Sequence, residues 1–192
     1  MKKILFMIMF CISSFMGFAQ TDTHLKFKGI PITGSLNEFV TQLKNKGLVY
    51  QGSQDGIALL KGEFATFKDC NIGVATFDVT DEVCKVVAIL PEKDSWNSVT
   101  GDYNTLKELL TQKYGKPEVT EIFSGERVPS NDFLKFHALL DDECNYSSKF
   151  NSEGGYIVLT MNKTDYNKAS VILHYYDESN TKTVIQKALD DL

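Results

Sequence analysis

The chain has 192 residues, of which 43% are hydrophobic, and carries a formal net charge of −5. This length and composition suit one domain with its own buried core. The excess of acidic residues argues against nucleic acid or an anionic membrane surface as the partner, since both attract basic patches.

Residues 1–19 are predicted to form a cleavable secretion signal. Lys2 and Lys3 give a basic start, an apolar run follows, and Ala19 precedes the expected cleavage site before Gln20. The apolar run is shorter than the roughly 20 residues that span a bilayer, and a membrane anchor or a buried first helix is the alternative. We therefore expect an exported protein, periplasmic or extracellular, whose mature form has no membrane span. It would carry 18 basic and 25 acidic residues, a net charge of −7.

Residues 20–192 are expected to form one α+β domain made of two repeats, about 25–91 and 95–192. Three cysteines remain in this region: Cys70, Cys84 and Cys144. So few cysteines do not make a disulfide scaffold. A hairpin that turns near residue 80 would also keep Cys70 and Cys84 too far apart to bond. We expect the thiols to be buried as small apolar groups.

The first repeat is predicted to open with a strand at Leu25–Ile32 and a helix. Ser35 is a natural N-cap and Glu38 follows at the spacing of a capping box. Gly47 is expected to end this helix. Four strands follow at about 48–51, 57–67, 70–78 and 83–90. The last is apolar almost throughout, which is typical of a central strand.

The second repeat is predicted to start with a helical zone that opens at Asp94, has its strongest stretch at 102–114, and ends at Gly115 and Pro117. Four strands are then expected at 119–123, 133–140, 156–161 and 169–176. A C-terminal helix is predicted over 180–192, because apolar residues recur there at helical spacing.

This order, a helix and four strands repeated once, indicates a duplicated unit. Short matches fall in the same order in each half. Ala-Leu-Leu occurs at 58–60 and 138–140, and an acidic residue followed by Cys-Asn occurs at 69–71 and 143–145.

Together with Lys-Tyr-Gly-Lys-Pro at 113–117, this order of elements resembles the β-lactamase-inhibitor-like architecture. The resemblance implies that two tandem α-β4 repeats join edge to edge into one curved antiparallel sheet with the helices on one face. The C-terminal helix is an addition to that plan. The resemblance transfers no inhibitor contact residue, because no motif that carries one is matched.

No catalytic, metal-binding or cofactor-binding constellation is evident, so we assign no catalytic or metal residue and expect no cofactor. His24, His137 and His174 are too dispersed for a spaced metal motif. His24 lies near an end that we expect to fray, and His137 and His174 are predicted within strands, as satisfied or solvent-facing imidazoles. On one regular strand, Cys144 would face away from His137, which disfavours a thiol–imidazole pair.

Aromatic side chains are the remaining functional signal. Tyr146, Tyr156, Tyr175 and Tyr176 fall in the second repeat, and tyrosines that line an open sheet face would suit binding. We expect half of them to pack in the core instead. The sequence thus predicts a non-catalytic module that contacts a protein or small ligand through the exposed, concave sheet face, with the binding residues unassigned. The alternatives are a secreted hydrolase whose acidic residues converge in a cleft and a structural component that dimerises through an edge strand.

Overall fold

The computed structural model describes residues 23–77, 81–125 and 128–190. It contains four α-helices, a large eight-stranded antiparallel sheet and a small two-stranded sheet, which is an α+β fold as predicted. The predicted secretion signal, residues 1–19, lies outside the described residues. Within the described ranges, we find no helix with the length and apolar character needed to cross a membrane.

The described chain begins with a small hairpin and not with the single strand predicted over Leu25–Ile32. Strand β1 (Lys26–Phe27) pairs with β2 (Ile30–Pro31). The two residues between them, Lys28 and Gly29, have φ angles of 50° and 82°. Positive φ at both turn positions is the geometry of a two-residue hairpin turn. The prediction of one strand was wrong because this turn was overlooked.

The segment before β1 is held in place, so the expected fraying at His24 is also wrong. The buried Asp177 carboxylate accepts a hydrogen bond from the backbone N–H of Leu25 at 2.8 Å. The His24 Nδ1 atom lies 3.1 Å from the same carboxylate. These contacts join the start of the described chain to its last strand.

Helix α1 (Leu36–Asn45) forms where it was predicted. The Ser35 hydroxyl accepts a hydrogen bond from the Glu38 backbone N–H at 3.4 Å, and the Glu38 carboxylate accepts one from the Ser35 N–H at 3.3 Å. This is the predicted capping box, which satisfies two backbone donors at the helix start. The helix buries Phe39 and Leu43.

The four strands of the first half and the second helix also lie close to their predicted positions. The strands are β3 (Val49–Gln54), β4 (Ile57–Phe64), β5 (Phe67–Thr76) and β6 (Val83–Ile89). Helix α2 (Trp96–Tyr114) follows, and Gly115 ends it with a φ of 85°.

The predicted strand at 133–140 is instead a helix, α3 (Asp132–Leu140). The Asn131 side chain accepts a hydrogen bond from the Leu134 N–H at 2.9 Å, which caps the helix start. Phe136, Leu139 and Leu140 are buried on one helical face. The mostly apolar stretch at 133–140 fits either a buried strand or a short helix, and its period was read wrongly.

The last strands and helix are β7 (Glu118–Phe123), β8 (Cys144–Ser152), β9 (Gly155–Asp165), β10 (Lys168–Asp177) and α4 (Glu178–Asp190). Strand β8 was not predicted. Its composition gave no strand signal, because polar residues such as Asn, Ser and Lys do not favour strands. The C-terminal helix starts two residues earlier than expected.

The large sheet has the strand order β3-β4-β5-β6-β10-β9-β8-β7. Strand β6 is central, as predicted, because it pairs with β5 and β10. The short sequence matches between the halves do not fall on equivalent elements. Residues 58–60 lie in β4 but 138–140 lie in α3, and residues 69–71 lie in β5 while 143–145 fall at the start of β8.

One hydrophobic cluster forms the core. Helices α1, α2 and α3 contribute their buried residues to it, together with every second residue of the central strands. The intervening strand residues point away from this cluster, and most of them are half-buried or exposed; Ser170 on β10 is buried. They form what we call the uncovered face of the sheet.

Candidate functional site

Strand register aligns the residues of the uncovered face in three rows that cross six strands. From β4 to β8 these rows are Ile57, Ala75, Lys85, Tyr176, Tyr156 and Asn151; Leu59, Gly73, Val87, His174, Val158 and Lys149; and Lys61, Asn71, Ile89, Ile172, Thr160 and Ser147. Directly opposed residues in neighbouring strands share a face and touch. The rows therefore describe one continuous surface.

An apolar trough occupies the first-half side of this surface. It is a cavity of about 420 Å³ over β4, β5 and β6, with walls that include Ile57, Leu59, Val87 and Ile89. Ile57 and Leu59 are 39% and 38% exposed. Gly73 lies between Leu59 and Val87 in the middle row and leaves the floor open, because it has no side chain. The trough thus presents apolar area to solvent on the sheet itself.

A tyrosine pair occupies the second-half side. The rings of Tyr156 and Tyr176 stack with centroids 4.8 Å apart. The Lys85 ammonium lies 4.7 Å from the Tyr176 centroid, and the Lys149 ammonium lies 4.7 Å from the Tyr156 centroid. Each such cation–π contact contributes about 0.5–1 kcal/mol at exposed sites. The result is an ordered aromatic surface with positive charge on both sides.

His174 lies between the trough and the tyrosine pair. Its ring is stacked near that of Tyr176, with centroids 6.0 Å apart. Burial lowers the pKa of His174 below its usual 6.5, and the nearby Lys85 charge acts in the same direction. The imidazole is therefore neutral at pH 7. The ring lies half-buried on the solvent side of the sheet, within a strand as predicted, and its buried Nδ1 atom has no hydrogen-bond partner among the described residues.

Positive charge dominates the three rows. Among their described residues the charged side chains are Lys61, Lys85 and Lys149, and none is acidic. Carboxylates lie at the margins: Asp69 is 3.6 Å from the Lys61 ammonium, and Glu118 on the edge strand β7 stands opposite Lys149. The three rows are therefore positive in a chain with a net charge of −5, and Lys85 lies at their centre, paired in register with Ala75 and Tyr176.

The structure divides the four candidate tyrosines as expected, with half of them in the core. Tyr156 and Tyr176 lie on the uncovered face. Tyr175 is only 5% exposed, and Tyr146 packs against Trp96 with ring centroids 5.2 Å apart. Burial raises the pKa of Tyr146 and Tyr175, which keeps both phenols neutral.

A second cavity of about 400 Å³ lies between the starts of α2 and α3. Asp94, Asp132 and His137 are among its lining residues, and His137 stands on α3 and not on the predicted strand. The Asp94 carboxylate is 3.5 Å from the Lys168 ammonium, and the Asp132 carboxylate is 3.5 Å from that of Lys135. Both acidic groups are thus engaged by surface lysines.

The three described cysteines are free thiols. Register places Asn71 opposite Ile89 and Thr76 opposite Val83, which separates Cys70 from Cys84 as expected. Burial raises the pKa of Cys70 and raises that of Cys144 to about 11. The reactive thiolate form is therefore suppressed at both.

Within the described residues, no group of three or more His, Cys, Asp and Glu side chains is arranged to hold a metal ion. No family model, curated protein or solved structure matches this chain. The function proposed below therefore rests on the chain's own residues.

Sequence reasoning found the tyrosines but missed the trough. Ile57, Ala58, Leu59 and Leu60 are apolar in succession, and the structure buries Ala58 and Leu60 while it exposes the other two. An unbroken apolar run does not reveal which alternate set faces the core. The signal that could have revealed the trough was the surplus of apolar residues in this run. A strand with one solvated face needs only every second residue to be apolar.

Proposed function

We propose that this protein is an exported, non-catalytic binding module that contacts its ligand through the uncovered face of the sheet. The observation that carries the proposal is the position of the apolar trough directly beside the tyrosine pair. Both lie on a face that points away from the core to which helices α1, α2 and α3 contribute.

Exposure of this apolar and aromatic area has a physical cost that binding would recover. Burial of apolar surface yields about 25 cal/mol per Å², and contiguous exposed apolar patches on soluble domains often mark binding sites. Tyrosine adds a large contact area and loses little side-chain entropy when it is buried. The stacking and cation–π contacts hold Tyr156 and Tyr176 in place before a ligand arrives.

We further propose that the sheet is built from two α-β4 repeats, curved as in the β-lactamase-inhibitor-like architecture. Helix α1 with β3 to β6 would be one unit, and α2 with β7 to β10 the other, with α3 as an insertion. In support, each unit's first strand lies at an edge of the sheet and its last strand lies at the centre. Superposition of the halves in an experimental structure should pair these elements in chain order; a better fit in another order would contradict the duplication.

The proposed export is tested by determining the first residue of the mature protein. We expect intact mass and N-terminal sequencing of the protein from secreting cells to show cleavage after Ala19 and a chain that begins at Gln20. Recovery of the uncleaved chain in the cytoplasm would contradict the proposed localisation.

Binding is tested with a double variant of the tyrosine pair, Tyr156→Ala with Tyr176→Ala. Tyr166→Ala is the matched control, because Tyr166 is 88% exposed in the turn between β9 and β10, away from the three rows. Each purified protein is incubated with cell-envelope extract, and the retained molecules are identified by mass spectrometry.

We expect the wild type and the control to retain the same specific molecules and the double variant to lose them. Equal retention by all three proteins, with the double variant still folded by circular dichroism, would contradict binding through this face.

The cavity lined by Asp94, Asp132 and His137 makes a secreted hydrolase the second candidate, because it brings two carboxyl groups and an imidazole to one depression. A hydrolase at this position should cleave chromogenic esters or glycosides, and Asp132→Asn should abolish that turnover. Absence of turnover in the wild type would exclude this candidate for the substrates tested.

A further inference from the structure

We propose that the ligand of the uncovered face is a small molecule with an apolar body and an anionic group. The apolar body would lie in the trough, and the anionic group would lie at Lys85. This inference rests on the proposed function and names the ligand class for the same face.

The dimensions and lining of the trough favour a small molecule over a protein. Its volume of about 420 Å³ falls within the roughly 300–1,000 Å³ of small-molecule pockets. Ile57, Leu59, Val87 and Ile89 supply apolar walls, and Lys85 is the charged side chain among the lining residues. Pockets of this kind bind an apolar body and fix its orientation with a few polar groups.

Lys85 stands where the trough meets the tyrosine pair. Its side chain lines the trough, and its ammonium lies over the Tyr176 ring. An anion at this ammonium would sit at one end of the apolar body, within reach of the aromatic surface. A charge-assisted hydrogen bond to lysine is stronger than one between neutral groups.

His174 stands beside this position. It follows Val87 in the middle row, next to the row that holds Lys85 and Tyr176. Its ring is stacked near that of Tyr176, with centroids 6.0 Å apart, so it extends the aromatic surface that a ligand at Lys85 would meet.

The charge distribution disfavours a cationic ligand. Carboxylates of Asp69 and Glu118 stand beside Lys61 and Lys149 at the margins of the three rows, whereas Lys85 is the charged residue that lines the trough. A cationic ligand in the trough would meet the Lys85 ammonium and would find both tyrosine rings already in contact with lysines. Electrostatic complementarity therefore favours an anion.

The experiment compares two fluorescent probes with the same apolar rings. These are 8-anilinonaphthalene-1-sulfonate, which is anionic, and N-phenyl-1-naphthylamine, which is neutral. Each is titrated into the folded protein, and the fluorescence gives its affinity. Near-ultraviolet circular dichroism confirms that the protein keeps its tertiary packing, because loosely packed states also bind the anionic probe.

Two variants separate the charge from the trough. Lys85→Met removes the ammonium, and Lys113→Met is its matched control, because Lys113 lies 4.8 Å over the Tyr114 ring on α2. Gly73→Val fills the trough floor. A Cβ atom at Gly73 would lie 3.4 Å from Ile57 Cγ2, which is an ordinary van der Waals contact.

We expect the wild type to bind the anionic probe about 10-fold more tightly than the neutral one. Lys85→Met should remove that preference, Lys113→Met should keep it, and Gly73→Val should lose both probes. Failure of either probe to bind, equal affinity for the two probes, or an unchanged preference in Lys85→Met would overturn the inference. If the wild type binds both probes equally and Gly73→Val abolishes the binding of both, the proposed ligand class is wrong but the proposed binding module stands. The module itself is judged by the separate retention experiment with the tyrosine variants.

Discussion

The hydroxyl of Tyr103 on α2 lies 2.7 Å from the hydroxyl of Ser148 on β8, and both side chains are buried. This hydrogen bond fixes the long helix against the second half of the sheet. Burial raises the pKa of Tyr103 to about 12, so the phenol keeps its proton and remains available for this bond.

Tyr103→Phe should lower the free energy of unfolding by about 1–2 kcal/mol, because it leaves the buried Ser148 hydroxyl without its partner. Ser148→Ala should have a similar effect through the orphaned phenol. The double variant should lose about 1 kcal/mol less than the sum of the two. Urea unfolding monitored by fluorescence measures all four proteins, and strictly additive losses would show that the two hydroxyls are not coupled.

Asp177 joins three parts of the chain. Its carboxylate accepts hydrogen bonds from the backbone N–H groups of Leu25 and Asn180 and lies 3.1 Å from the His24 Nδ1. Asp177→Ala should cost about 3 kcal/mol, since it orphans several donors at a buried position. Asp165→Ala, at an exposed carboxylate with one local bond to the Tyr166 N–H, should cost about 1 kcal/mol or less. Equal losses in denaturant unfolding would contradict this role.

Gly154 and Gly56 occupy hairpin turns with φ angles of 85° and 76°, so alanine introduces similar backbone strain at each. A Cβ atom at Gly154 would lie 1.8 Å from the Thr23 backbone oxygen, whereas nothing lies within 4 Å of one at Gly56. Gly56→Ala should therefore cost about 1 kcal/mol. Gly154→Ala should cost about 2 kcal/mol more, because the Thr23 segment must move. Thermal unfolding of the two variants tests the difference, and equal midpoints would contradict the close approach.

His174 should make stability depend on pH. Its pKa in the folded protein is below the usual 6.5, so the unfolded chain takes up the proton first as the pH falls. The stability that neutral His174 contributes is therefore complete above pH 6.5 and declines as the pH falls below that value toward the folded pKa. His174→Phe removes this contribution, so its stability relative to the wild type should improve between about pH 7.5 and about pH 5.

The measurement for His174 is an NMR titration of the imidazole signals, assigned with the same variant. A folded-state pKa at or above 6.5 would contradict the burial of this ring. Unfolding curves at the two pH values supply the independent check.

Helix α1 was predictable because its start is encoded locally. Ser35 and Glu38 satisfy each other's backbone donors within four residues, so no distant contact is needed to position the cap. Helix α2 likewise ends at Gly115, whose φ of 85° needs only a residue without a side chain.

Helix α3 and strand β8 were mispredicted for the opposite reason. The apolar residues of the α3 segment, such as Phe136 and Leu139, fit the repeat of a strand as well as that of a helix. Only their packing in the common core shows that the segment is helical. The mostly polar β8 is a strand because it pairs with β9 through a tight turn on one side and with β7, which lies before α3 in the sequence, on the other. Local preference is weak enough for such tertiary contacts to override it.

For the candidate site, the sequence by itself identified tyrosines in the strands of the second half and the absence of a recognisable catalytic motif. Only the tertiary structure decided that Tyr156 and Tyr176 stack on the uncovered face while Tyr175 enters the core. Alternation along one strand says that neighbours point to opposite sides, but the choice of side depends on where the helices pack. The trough could likewise be recognised only from the tertiary structure. The register of the folded sheet brings Gly73 between Leu59 and Val87, and the missing side chain leaves open space there.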